Sequence, residues 1–193
     1  MKVGSLGRNG RGNMLSIEEL DVHIYRQIQG VFSTMDMAVL KEEIEKLKPG
    51  EVYVEVGVDE GRSARVAHEY ADSGVYKLYI DIHNVDKHEV SIGRGAFMEK
   101  EGMVGIGKKG FFIHGDADLF PPLFQGEVSL IFLDPHHDYE SIKSATLAWE
   151  PKVKKGGVML FHDIDHEDTL KWMNDHFGDK WEALHEKIGR VRK

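Results

Sequence analysis

The chain predicts an α/β fold: a doubly wound, mostly parallel sheet of seven strands with helices on both faces. Five apolar runs alternate with stretches of helical period, the pattern of a parallel sheet. Each of the five ends in glycine or polar residues, and in an open α/β sheet the ligand crevice lies outside the carboxyl ends of the strands. A length of 193 residues suits one domain with a core between two helical layers.

The elements follow in order. Residues 1–13, rich in glycine and cations, read as a mobile tail ahead of a single domain over 14–193, with helices over 14–48 and the sheet over 50–193. Ser16-x-x-Glu19 has capping-box spacing and opens a helix to about Gln29. Ser33-x-x-Asp36 resembles the same box with a shorter acid. It opens a helix with Met37, Leu40, Ile44 and Leu47 on one face, stopped by Pro49 and Gly50. Glu51–Val56 reads as a buried strand through β-branched Val52, Val54 and Val56. Gly57 then lets the backbone turn sharply. Gly61 lets a ligand lie against the start of a helix over Gly61–Ala71 without meeting a Cβ. The free N–H groups of that helix end favour an anion.

Lys77–Asp81 is a second strand ending in an acid. From His83 to Gly110 the chain has six glycines after position 92 and one candidate helix around Ala96–Glu101, a surface loop or a lid. Strands at Phe111–His114, Val128–Leu133 and Gly157–Phe161 run into Gly115-Asp116-Ala117, Asp134–Glu140 and His162–His166. Tyr139–Trp149 is helical, with Ile142, Ala145 and Trp149 on one side and Pro151 as its stop, and Lys154–Gly157 forms the turn into the fifth strand. Helix Glu167–Phe177 follows, and Trp181–Lys193 holds two short strands joined near Ile188 and Gly189.

Composition narrows the function. Hydrophobic and charged contents of 41% and 30% are those of a soluble globular protein. A net charge of −8 argues against a nucleic-acid partner, which calls for a positive field. No run approaches the ~18–20 apolar residues of a membrane span, and the first residues lack a signal-peptide core. No cysteine is present, so disulfides, thiolate metal sites and cysteine nucleophiles are excluded. A cytoplasmic location is the expectation, with a homodimer an open option.

A dinucleotide fingerprint wants G-x-G-x-x-G, but here Asp59 stands at the middle glycine and the pattern is Glu55-x-Gly57-x-x-x-Gly61. This resembles motif I of the class I S-adenosylmethionine-dependent methyltransferases, although a bare structural turn gives the same pattern. Further along, Leu133-Asp134-Pro135-His136-His137-Asp138-Tyr139-Glu140, then Trp149-Glu150-Pro151, then Lys155-Gly156-Gly157 through to His162-Asp163, resembles one subfamily. Its members carry an I-D-G-D-H-S-Y-E-like run, W-x-P-x-L-x-x-G-G and a strand ending in acids, and some are sugar or antibiotic O-methyltransferases. The similarity spans about 34–163. This chain departs from it at Pro135 and His136, and at His162, where metal-dependent relatives have an acid.

The resemblance implies a Rossmann-like methyltransferase sheet and a role for each matching residue. Glu55, Gly57, Val58 and Gly61 would shape the cofactor pocket, with Ser63 near the methionyl carboxylate. Asp81 would accept from the ribose hydroxyls, as a carboxylate can accept from both members of a cis-diol. Asp116 would face the adenine amino group and Ala117 would supply a backbone N–H. Asp116 could equally cap a helix starting near Leu119, and Asp81 could be a solvated loop acid.

Methyl transfer from a sulfonium is an in-line displacement that depends on alignment. A hydroxyl nucleophile also needs its proton removed by a base or its pKa lowered by a metal. Asp134, His162 and Asp163 are the candidate metal ligands. Oxygen donors suit Mg²⁺, and a histidine shifts preference towards Mn²⁺, Fe²⁺ or Zn²⁺. His137 is the candidate base and Asp134 acts with it. Bland readings make Asp134 the cap of the Tyr139 helix and His162 a hydrogen-bonded structural histidine. His136, Asp165 and His166 read as surface or supporting groups. The expected partner is a small hydroxylated methyl acceptor, its specificity set by Ser16–Met37, His83–Gly110 and Asp165–Asp179. Two rivals stay open: a hydrolase metal centre joining His136-His137-Asp138 to His162-Asp163-x-Asp165-His166, and a non-catalytic protein that binds an adenosyl ligand.

Overall fold

The computed structural model describes residues 32–81, 98–99 and 104–193. The tail over 1–13, the Ser16–Gln29 helix and most of 83–110 lie outside the described residues. Of the Ala96–Glu101 helix only Met98 and Glu99 are described, both helical.

Seven strands form one sheet: β1 (Val52–Val56), β2 (Tyr76–Asp81), β3 (Gly110–His114), β4 (Val128–Leu133), β5 (Val153–Phe161), β6 (Trp181–Ala183) and β7 (Gly189–Arg192). Their order is β3-β2-β1-β4-β5-β7-β6. The first five pair in parallel, while β7 runs antiparallel to both β5 and β6. The sheet is therefore mixed, a parallel body with an antiparallel edge hairpin. The strand order reverses between β1 and β4, which opens the crevice where ligands of such sheets bind.

Among the described residues, α1 (Thr34–Ile44), α2 (Arg62–Tyr70), α3 (Tyr139–Trp149) and α4 (Glu167–Phe177) cover the sheet. Strand side chains alternate between faces. Tyr53, Tyr79, Leu130, Phe132, Val158 and Leu160 pack with Met37, Leu40 and Ile44 of α1 and Ala64 and Ala67 of α2. Val54, Val56, Leu78, Ile80, Ile131, Leu133, Met159 and Phe161 pack with Ile142, Ala145 and Trp149 of α3 and Trp172, Met173 and Phe177 of α4. Among the described residues no helix is long and apolar enough to cross a membrane.

Local chemistry sets the boundaries. The Ser33–Asp36 capping box opens α1. The helix stops at Ile44, a turn before Pro49, so Leu47 packs from outside it. α3 is capped by Asp138, which accepts from Ser141 N–H at 3.0 Å, so Asp134 is not the cap. Lys154–Gly157 is not a turn ahead of β5 but an irregularity within it. Gly156 takes φ +77°, and the register with β4 shifts between Val128 and Leu130. No α-helix starts near Leu119. Asp116 Oδ1 instead accepts from Asp118 N–H at 2.9 Å, and a 3-10 turn follows at Pro121–Leu123.

Two glycines shape the turn after β1 in different ways. Gly57 has φ +81°, and a Cβ there would lie 1.8 Å from the Asp134 carbonyl oxygen. Gly61 has φ +88°, and its Cβ would meet open space. Gly57→Ala should therefore cost about 2–5 kcal/mol through backbone collision and strain. Gly61→Ala should cost only the left-handed penalty of about 1–2 kcal/mol. Urea unfolding of the two variants checks this, and equal losses would remove the close approach at Gly57 as a constraint.

Candidate active site

On the cofactor side, the turn from Gly57 to Gly61 is held by β2. Asp81, nearly fully buried, accepts at Oδ2 from the Val58 N–H (3.0 Å) and the Asp59 N–H (3.1 Å). The acid proposed for the ribose thus also fixes the turn that would carry the methionyl part. Asp59, standing where a dinucleotide site has glycine, takes φ +43°. The α2 N-terminus opens at Gly61 with no side-chain cap, leaving its amides for an anion.

Glu55 and Ser63 face inward. Glu55 is fully buried and accepts from Tyr53 Oη at 2.7 Å and Ser63 Oγ at 2.6 Å. Burial raises its carboxyl, the two hydroxyl donors oppose, and the charges of Asp134 and Asp81 add to the rise; the group is pushed up to about 8. Ser63 Oγ thus donates to Glu55. Asp116 is exposed, and Ala117 is buried with its carbonyl accepting from Trp149 Nε1 at 3.0 Å.

On the reacting side, the ends of β4 and β5 converge. Asp134, His162 and Asp163 each offer a donor atom, all within 4.8 Å of one another. His162 Nδ1 lies 3.3 Å from Asp134 Oδ2 and 3.3 Å from Asp163 Oδ2. The ring is buried against Phe32 and Phe132, with centroids at 5.2 and 5.8 Å. Neither of its nitrogens makes a well-formed hydrogen bond, although three carboxylates stand 3.3 to 3.6 Å from them. Burial lowers its pKa, but Asp134, Asp163 and Asp36 outweigh that and raise it to about 11. Asp163 takes φ +50°, a conformation that aspartate tolerates. Its carboxyl is held low: burial opposes, and His162, Lys187 and His137 prevail.

His137 sits half-exposed at the rim, Nε2 2.9 Å from Asp163 Oδ2 and 3.7 Å from Asp134 Oδ1. Asp134 first, then the charge of Asp163, raise its pKa. His136 is exposed, and Asp138 caps α3. His166 N-caps α4, and Asp165 is half-exposed. The two-histidine-cluster hydrolase centre is not favoured: His137 and His166 do approach, with ring centroids 5.8 Å apart, but among the described residues the only metal-competent group is Asp134, His162 and Asp163.

Three residues not singled out from the sequence as site groups also reach this place. Asp36 of α1 is fully buried, with Oδ2 3.6 Å from His162 Nε2 and Oδ1 3.5 Å from His185 Nδ1. Lys187 Nζ lies 3.0 Å from Asp163 Oδ1. His185 and Lys187 lie between β6 and β7 and carry no motif. Asp36 carried one, but its capping box accounted for the residue as a helix start.

Residues 54–164 match the family described as "Methyltransferase domain". The chain belongs to that family and is an S-adenosylmethionine-dependent methyltransferase. No curated protein matches it. The fold is similar to that of the Podospora anserina methyltransferase PaMTH1 with bound S-adenosylhomocysteine, at TM-score 0.70 and 15% identity over 98% of this chain and 91% of that one. It is also similar to CalS11, the TDP-rhamnose 3'-O-methyltransferase of calicheamicin biosynthesis, at TM-score 0.61 and 17% identity over 91% and 92%. A Bacillus cereus O-methyltransferase with S-adenosylhomocysteine gives TM-score 0.60 and 12% identity over 92% and 90%.

The buried neutral carboxyl of Glu55 has a consequence for stability. Below about pH 4.5 the folded and unfolded chains both hold its proton. Between there and about 8 the unfolded chain releases it while the folded chain keeps it. Each pH unit in that window costs the fold about 1.4 kcal/mol. Glu55→Gln should therefore raise Tm by a margin that widens from pH 5 to about pH 8. Thermal melts at constant ionic strength check this, and a margin that does not change with pH would show that Glu55 is ionised in the folded chain.

Proposed function

We propose that this methyltransferase methylates a hydroxyl oxygen of a small molecule that offers a second oxygen beside it, with a divalent ion held by Asp134, His162 and Asp163. The observation that carries the reading is the donor cluster at the ends of β4 and β5, beside the glycine turn of β1 at the switch point of the sheet. The donor set fits an ion: two carboxylates and an orphaned buried imidazole converge, with the imidazole nitrogen 3.3 Å from each carboxylate. In six-coordinate geometry with bonds of about 2.1 Å, neighbouring ligand atoms stand about 3 Å apart. The imidazole admits Mn²⁺, Fe²⁺ or Zn²⁺ beside Mg²⁺. The relatives named for O-methylation, one acting on a sugar hydroxyl, support an oxygen acceptor.

S-adenosylmethionine supplies a methyl group on a sulfonium sulfur, and a divalent ion supplies charge that lowers the pKa of a hydroxyl. The remaining tasks fall to the chain. Asp81 accepts from the ribose hydroxyls while bracing Val58 and Asp59. Gly57, Gly61 and the α2 amides take the methionyl end, and Asp116 and Ala117 border the adenine. His137 accepts the proton of the acceptor hydroxyl, and Asp163 orients its ring and stabilises the imidazolium that forms.

Two expectations test this. Asp81→Ala should weaken S-adenosylhomocysteine binding about 10–150-fold in calorimetry, the loss of a hydrogen bond to a charged group. Unchanged affinity in the folded variant would remove the ribose assignment. With an acceptor found by screening hydroxylated compounds, turnover should stop in chelator and return with Mn²⁺ or Mg²⁺. Asp134→Asn should cut it about a hundredfold or more while S-adenosylhomocysteine affinity stays within about threefold. Full activity in chelator would overturn the metal, leaving His137 as the sole base.

A further inference from the structure

Asp36 is more than a helix cap. Its Oδ2 accepts from Ser33 N–H at 2.8 Å and Ser33 Oγ at 2.6 Å, completing the box that starts α1. A capping acid needs no burial, yet Asp36 has no exposed surface and stands between two imidazoles. Its Oδ2 faces His162 Nε2 at 3.6 Å, and its Oδ1, facing His185 Nδ1 at 3.5 Å, has no hydrogen-bond partner. A buried carboxylate needs a compensating partner, and these two rings face it.

We propose that Asp36 is the positioning carboxylate behind His162: it accepts a hydrogen bond from Nε2–H and so presents Nδ1 to the space between Asp134 and Asp163, where a divalent ion would bind. The inference rests on the metal-assisted reading above. Metal-bound histidines commonly donate their other ring N–H to a carboxylate, which fixes tautomer and ring orientation. Here Nδ1 already faces both acidic ligands and Nε2 faces Asp36 alone among them. Phe32 and Phe132 pack against the ring, and Ser33 anchors Asp36. The Nε2–Oδ2 separation is only a few tenths of an ångström beyond hydrogen-bond reach.

Calorimetric titration of the full chain with Mn²⁺ separates this inference from the reading beneath it. If the wild-type chain binds no Mn²⁺, the metal reading fails and the inference with it. If it binds, Asp36→Asn should weaken Mn²⁺ about 10–100-fold. Asp36→Glu should recover part of the loss. Ser33→Ala, which removes one anchor of Asp36 but keeps the carboxylate, should weaken Mn²⁺ less than Asp36→Asn does. Unchanged S-adenosylhomocysteine affinity verifies the fold of each variant. Asp36→Asn binding Mn²⁺ as tightly as wild type overturns the assignment. A second measurement needs no Asp36 variant. In the Zn²⁺-loaded wild-type chain, long-range proton–nitrogen spectra, with His162 assigned by difference against His162→Gln, should show the His162 proton on Nε2. A proton on Nδ1 overturns the proposal.

Discussion

The site depends on a contact between two pieces of backbone. The turn after β1 passes so near the start of the loop after β4 that a Cβ at Gly57 would coincide with the Asp134 carbonyl. Hydrogen bonds carry the ladder one residue beyond the strands on both sides, Gly57 N–H to the Ile80 carbonyl at 2.9 Å and Asp134 N–H to the Val56 carbonyl at 2.8 Å. The Asp81 carboxylate then ties down the far side of the turn. The cofactor turn and the acid proposed to meet the acceptor are therefore neighbours in one hydrogen-bonded frame. In-line displacement demands a fixed relation between donor and nucleophile, and this frame supplies it from main chain.

Buried carboxylates around the ends of β1, β4 and β5 divide by environment. Glu55, enclosed by Tyr53 and Ser63, is kept neutral by burial and serves packing. Asp163 and Asp36 are also buried, but imidazoles and Lys187 face them, and both are held ionised. The same residue type thus yields an inert hydrogen-bonded plug behind the cofactor turn and a concentrated negative charge around His162. The difference arises from what lies opposite each group.

Much of this was legible in the chain. β4, α3 and α4 begin and end where the apolar period and Pro151 indicate, and the ends of the five parallel strands carry the glycine or polar residues that mark a crevice. The sequence misplaces the start of β5 because Gly156 and Gly157 look like a turn, and only pairing with β4 reveals that the strand continues through them. The helix anticipated near Leu119 is excluded by the Asp116 Asx turn and the two prolines behind it. The convergence of Asp134, His162 and Asp163 could be anticipated from sequence because each follows a strand. Asp36, His185 and Lys187 could not, because they arrive from a helix start and an edge hairpin whose placement is a property of the folded sheet.

The antiparallel direction of β7 changes what the end of the chain contributes. Because it runs against β5, the residues before it, and not those after it, stand at the crevice. The Ile164 N–H donates to the Lys187 carbonyl at 3.2 Å, and Leu184 N–H to that of Ile188 at 2.8 Å, pinning the 184–188 turn against the loop after β5. This turn borders the proposed site through His185 and Lys187 without belonging to the parallel part of the sheet. Its length and side chains can diversify between homologous enzymes while the register of β6 and β7 holds, which makes it a place where acceptor preference can evolve separately from cofactor binding.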